Sequence, residues 1–160
     1  MNIVIDSLDK KALSLLMRRG RATWAELGQH LHLSAPAAAE RVHRLEEKGA
    51  IRGYAALADP ETLGYPLVAF VAVTLRDIRK RTAFLKAIQQ LEQVVECHHI
   101  AGEDDYLLKV RCQGTSDLDH LLSYELKDKL DVARSRTTVV LGTAKETVCV
   151  PLLGDDEDAE

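Results

Sequence analysis

The sequence predicts an α+β chain built from two modules, and three observations predict it. Apolar residues recur at helical spacing in three short segments before residue 52. Past residue 66 the period changes, and strand-like runs alternate with helical ones. Charge divides along the same line. Residues 1–52 hold nine Lys/Arg against six Asp/Glu, a balance of +3, whereas residues 53–160 hold twelve against nineteen, a balance of −7. Five of those acids lie in the closing "GDDEDAE", so a basic module precedes an acidic one.

The first helix is read in "DSLDKKALSLLMRRG". Asp6 is its N-cap, Asp9 sits near the positive end of the helix dipole, Leu8, Ala12, Leu15 and Leu16 form the apolar stripe, and Gly20 ends it. The second, "TWAELGQHL", has Thr23 and Glu26 at capping-box spacing, with Trp24, Leu27 and Leu31 facing inward. The third lies in "LSAPAAAERVHRLEEKGAI", with Ser34 as N-cap, Pro36 in its first turn, Ala38, Val42 and Leu45 as core stripe and Gly49 as stop. Only Leu31 to Leu33 separate helices two and three, which makes the pair a helix-turn-helix.

"AIRGYAALADPETLGYP" reads as a linker, extended at first and then broken by two prolines and a glycine. After it come the strand "LVAFVAVTL", the helix "RKRTAFLKAIQQLEQ", the strands "VVECHHI" and "DYLLKVRC" joined by "AGED", a helix in "TSDLDHLLSYELKDKL" capped by Thr115 or Ser116, and the strand "SRTTVVLG". "TVCVPL" offers one more strand. The predicted fold class is therefore α+β: a winged helix-turn-helix of three helices over residues 1–52, a linker or hinge strand over 53–66, a ferredoxin-like βαββαβ sandwich over 67–150, and an acidic, disordered tail over 151–160.

Composition narrows the function. Hydrophobic content of 46% and charged content of 29% are those of an ordinary globular chain of 160 residues. No apolar run is long enough to span a bilayer and the N-terminus is no secretory signal, so a cytoplasmic protein with no membrane partner is expected. Cys97, Cys112 and Cys149 have no CxxC spacing. In "ECHHI" the three potential ligands alternate across a strand, so they cannot all chelate one ion, and no metal site is expected. No nucleophile elbow or phosphate-cradling glycine loop occurs, so nothing points to an enzyme.

Taken in order, "ID-SLDKKAL" at 5–13, "GRATWAELG" at 20–28, "LSAPAAAERVHRLEEKGAIRGYAA" at 33–56, "VVECHHIAGEDDYLLKVRC" at 94–112 and "SRTTVVL" at 135–141 resemble the leucine-responsive and asparagine-responsive regulators, the Lrp/AsnC family. The resemblance covers nearly the whole chain. It implies a bacterial or archaeal transcription regulator that binds double-stranded DNA as a homodimer on a pseudo-palindromic operator and assembles further, for example into an octamer. It also implies a small effector, such as an amino acid, as the one ligand, with no cofactor.

Within that frame the third helix reads as the one that enters the major groove, about 12 Å wide. Ser34, Ala35, Pro36 and Ala37 are small enough to bring backbone near base edges. Ala37, Arg41, Arg44 and Lys48 recur at i, i+4, i+7 and i+11 and present three cations in line to phosphates or guanine. Thr23, opening helix two, is a candidate for the DNA backbone. The competing reading pairs Arg41 with an acid such as Glu40 or Glu46.

The resemblance carries an effector site to the turn "IAGEDDYLL" and the last strand, on Gly102, Asp104, Asp105, Tyr106 and Thr137. Gly102 permits a tight turn, the two carboxylates can accept bonds from an amine, and Thr137 can donate to a carboxylate. The residues alone favour a plain hairpin turn, with its acids in solvent and Tyr106 and Thr137 in packing. Asp131 stands in "LDVARSRT" where relatives commonly have glycine, which alters the turn into the last strand. An amino-acid-binding regulatory module of a metabolic enzyme is the alternative function class, but it has no use for the helix-turn-helix.

Overall fold

The computed structural model describes residues 5–152. Most of the acidic tail, from residue 153 on, lies outside the described residues, as do residues 1–4. The chain divides into two compact units, residues 1–57 with 145–160, and residues 58–144.

The first unit holds α1 (Ser7–Arg18), α2 (Trp24–Leu31) and α3 (Ala35–Glu47). Local chemistry starts each helix where the sequence says. Asp6 accepts the Asp9 amide at 2.7 Å while Asp9 reaches back to the Asp6 amide, and Thr23 and Glu26 close a second capping box. Ala12, Leu13, Leu27, Leu31, Ala38, Val42 and Leu45 are buried together. Of the expected stripe of α1, Ala12 is fully buried while Leu8, Leu15 and Leu16 pack at the margin of this core, and Leu13 joins it beside Ala12.

Between α2 and α3 the chain turns through His32 in the left-handed region, φ 55°. Gly28 makes the close approach possible: a β-carbon there would lie 2.8 Å from the Leu33 carbonyl oxygen and 3.2 Å from the Ala35 nitrogen. No strand forms among the described residues of this unit; of the segment expected as a hinge strand, residues 53–58 are exposed and in no regular element, and residues 60–64 form a hydrogen-bonded turn. The two prolines and the glycine of that segment favour the turn over a strand. The segment "TVCVPL" forms no strand either. It runs beside α1, where the Cys149 thiol donates to the Met17 carbonyl at 3.5 Å and Leu152 packs on the helical core. Residues 145–152 therefore go with the helices rather than with the sheet that precedes them.

The second unit contains β1 (Leu67–Leu75), α4 (Arg81–Ile88), β2 (Val94–His99), β3 (Tyr106–Cys112), α5 (Thr115–His120), which runs on as a wider π-wound segment over Leu121–Lys129, and β4 (Val132–Val139). The four strands form one antiparallel sheet in the order β2-β3-β1-β4. Neither Thr115 nor Ser116 caps α5, whose N-cap is Gly114 with no side-chain cap; Asp117 accepts the amide of Gln113, just before the helix, at 2.9 Å.

One face of the sheet is core. Ala69, Val71, Val73, Tyr106, Leu108, Val110 and Cys112 meet Phe84, Ile88, Leu118, Leu121 and Leu126, and each fully buried aliphatic chain contributes roughly 1.5–3 kcal/mol. The alternate residues, among them Val68, Phe70, Leu107, Arg136 and Thr138, stand on the other face. Phe70 is 37% exposed there.

Candidate functional site

Helix α3 is held by its buried stripe and by Ser34, whose hydroxyl oxygen accepts the Ala37 amide at 3.3 Å. Ser34, Pro36 and Ala37 are exposed, Ala35 is half-buried, and Arg44 and Lys48 are exposed with no side-chain partner among the described residues.

Arg41 is different. Its Nη1 donates to both oxygens of Asp6, at 2.8 and 2.6 Å, and to Asp9 at 2.5 Å, and its side chain is only 16% exposed. The acid that takes Arg41 is thus neither Glu40 nor Glu46 but the capping pair of α1. The guanidinium beside Asp6 holds that carboxyl below the usual aspartate range. One ion-paired junction therefore fixes the start of α1 against the middle of α3.

Thr23 is also spent internally. Its amide and hydroxyl donate to Glu26 at 2.7 and 2.9 Å, and these bonds, aided by Arg19, hold the Glu26 carboxyl at about 2. Trp24, expected inward, is 43% exposed. It opens α2 beyond the reach of the core, and its ring tilts against His43 of α3 at 5.9 Å. His43 Nδ1 lies 3.2 Å from Glu46, which also accepts the Tyr54 hydroxyl at 2.9 Å. The Tyr54 and His43 contacts lower the Glu46 carboxyl, and burial, then Glu46, pushes the Tyr54 phenol up to about 12. Sequence reading missed this chain, because Tyr54 lies in the apparent linker.

The five residues of the turn and last strand do not converge within one chain. Asp104 has a side chain only 2% exposed and accepts from Thr74 Oγ1 at 2.9 Å, Arg134 at 3.1 Å and Arg136 at 2.6 Å. The Thr74 hydroxyl foremost, then the two arginines, keep its carboxyl low. Asp105 accepts the Leu75 amide at 2.8 Å. Both carboxylates expected to meet an amine thus have internal partners. Gly102 is exposed with open space about it and needs no left-handed φ, so the turn does not depend on glycine for its backbone.

Tyr106 is 1% exposed, between Phe84 at 5.1 Å and His99 at 5.2 Å, and among the described residues its hydroxyl has no partner. Thr137 is half-buried opposite Val71. Tyr106 and Thr137 share the helix-covered face with β1 between them, whereas Asp104 bonds groups on the other face. Asp131, φ 54°, pairs with Arg76 at 2.7 Å and Lys80 at 3.1 Å and borders a hollow of about 120 Å³ with Leu75, Phe84 and Leu130. That is well below the ~300 Å³ of ordinary ligand pockets.

Residues 5–46 match the AsnC-type helix-turn-helix domain, and residues 68–149 match the Lrp/AsnC ligand binding domain. The chain belongs to the Lrp/AsnC family. The leucine-responsive regulatory protein of Haemophilus influenzae is 39% identical to it over 150 residues, covering 91% of this chain and 89% of that protein. The crystal structure of a transcriptional regulator from Neisseria meningitidis in complex with L-methionine superposes with a TM-score of 0.90 at 30% identity, covering 94% and 98% of the two chains. The feast or famine regulatory protein of Mycobacterium tuberculosis, complexed with L-methionine, gives 0.83 at 35% identity over 89% and 96%.

As an Lrp/AsnC regulator the chain is a transcription factor and not an enzyme, and its α2–α3 pair is the family's DNA-binding motif. The β2-β3-β1-β4 sheet with its helices is the family's ligand-binding domain. Among the described residues no helix is long and apolar enough to cross a membrane. His98 and His99 part company on β2, one toward Glu96 at 3.0 Å and the other against Tyr106.

Proposed function

We propose that this regulator acts in the cytoplasm as a homodimer that reads a pseudo-palindromic operator with two copies of α3, and that an amino acid alters its further assembly. The observation that carries the DNA reading is the division of labour on α3. Arg41 fixes the helix to α1, while Arg44 and Lys48 stay exposed beside a first turn, Ser34 to Ala37, small enough to let the backbone approach base edges. Thr23 sets the start of α2 through its capping box with Glu26.

The homodimer reading rests on the sheet face that the helices leave uncovered, where Phe70 is exposed among Val68, Leu107 and Thr138. A second copy would bury it. An octamer or another higher assembly would use further surfaces.

The effector reading rests on the family's ligand-binding domain and on two relatives that bind L-methionine. Within one chain Asp104 and Asp105 are bound by Thr74, Arg134, Arg136 and the Leu75 amide, which fits a site completed by another copy. Ligand at such a seam shifts the balance among oligomers and thereby the number of helices gripping DNA at once.

Light scattering on the full chain, with and without L-methionine and then other amino acids singly, tests the reading. A dimer at low concentration and a change of mass with one or more amino acids are expected. A monomer at micromolar concentration, or a mass indifferent to every amino acid, would contradict the respective part.

A further inference from the structure

In its N-terminal half, helix α3 carries a charged group, Glu40, that the DNA reading leaves without a task. At 100° per residue, Glu40 stands about 160–220° around the helix from Ala38, Val42 and Leu45. It therefore lies opposite the buried stripe, with Arg44 about 40° and Lys48 about 80° further around the helix. Glu40 is exposed and has no partner among the described residues. Arg44, four residues on, does not pair with it. Of the other glutamates, Glu46 is bound by Tyr54 and His43, and Glu47 belongs to the last turn.

An unpaired carboxylate here faces phosphates if α3 lies in a groove, and that repulsion works against binding. A base edge offers compensation. Cytosine presents its N4 amino group in the major groove, and a carboxylate accepts from it. Toward the helix start Glu40 is flanked by the small side chains of Pro36, Ala37 and Ala39, and its larger neighbours His43 and Arg44 lie one turn on, so the N-terminal side leaves the carboxylate open to the base pairs.

We propose that Glu40 is a specificity-determining residue, accepting a hydrogen bond from the N4 amino group of one cytosine in each half-site. The proposal rests on α3 entering the major groove. Its charge also lowers affinity for every site that lacks cytosine at that position, which sharpens discrimination by penalising the wrong partner.

The test is selection from a library of random duplexes by the full-length protein, followed by sequencing, for the natural chain and for Glu40→Ala, Glu40→Gln and Arg44→Ala. The natural protein is expected to select a C·G pair at one fixed position per half-site. Glu40→Ala lowers discrimination there about tenfold and raises affinity for unrelated duplexes. Glu40→Gln moves the preference at that position toward adenine, which glutamine reads through N6 and N7. Melting midpoints of both Glu40 variants stay close to the natural one, and the isosteric glutamine carries the test if the alanine variant unfolds. A uniform rise in affinity with an unchanged motif, or a motif with no such C·G position, overturns the proposal. If Arg44→Ala weakens binding while both Glu40 variants keep the motif, only the role of Glu40 fails. If Arg44→Ala also changes nothing, the groove reading itself fails.

Discussion

Arg41 on α3 donates to Asp9 on α1 at 2.5 Å, with both side chains largely out of solvent. The same guanidinium holds Asp6 at 2.6 Å, so the cap of one helix and the middle of another share a single cation. Arg41→Ala leaves Asp9 buried without its counter-charge and is expected to lower the stability of the N-terminal unit by about 2 kcal/mol, less than for a fully buried pair because Asp6 regains water. Urea unfolding followed by Trp24 fluorescence measures it. DNA affinity falls with the folded fraction, and the salt dependence of the remaining binding is unchanged.

Asp104 gives the C-terminal unit an acid sensitivity. Its carboxyl titrates below the usual aspartate value when folded, so it contributes stability at pH above about 4 that is lost as pH falls through the folded value. Asp104→Asn is expected to be less stable than the natural protein at pH 7 and to lose less stability between pH 4 and 2. Urea midpoints at three pH values decide it, and identical acid slopes would refute the assignment.

The spacing at Gly28 predicts a steric effect. A methyl group there meets backbone atoms of Leu33, Ser34 and Ala35, which cannot swing aside as a side chain would. Gly28→Ala is expected to cost about 1–3 kcal/mol by overpacking and to displace the start of α3. Calorimetry would show a lowered transition for the N-terminal unit and an unchanged one for the sheet.

Asp131 holds a left-handed backbone that aspartate tolerates better than branched residues do. Replacing it with glycine relieves the backbone but releases Arg76 and Lys80, both exposed, so stability is expected to stay near the natural level. Asp131→Val combines a β-branched side chain with positive φ and is expected to lower the unfolding midpoint clearly. Equal midpoints for the valine and glycine variants would show that the turn carries no backbone strain.

What the sequence made legible was local. Asp6, Thr23 and Ser34 cap the helices expected of them, and Ala38, Val42 and Leu45 are buried, because caps and helical stripes are decided within a few residues. The element order β-α-β-β-α-β of the ferredoxin-like unit followed from the order of periods. Arg41 was less legible, since its partners lie 32 and 35 residues away in sequence. Asp104 was hidden for the same reason, with Thr74 and both arginines at least 30 residues distant. Periodicity placed Trp24 on the core side of α2, but only packing showed that no neighbour covers it. Residues 60–64 of the expected hinge strand are a turn, held by Asp59 and Pro60, which the two prolines and the glycine of that segment foreshadow.

The most direct test of the account titrates the full-length protein onto a fluorescent duplex from its own upstream region and onto a scrambled control, over a series of salt concentrations, with Arg44→Ala alongside. The account predicts preference for the upstream duplex, a steep salt dependence, and for Arg44→Ala weaker binding with a slope reduced by about one and an unchanged melting midpoint. Equal binding of both duplexes, or an Arg44→Ala variant that binds with the natural affinity and slope, would contradict the claim that α3 reads DNA through its exposed cations.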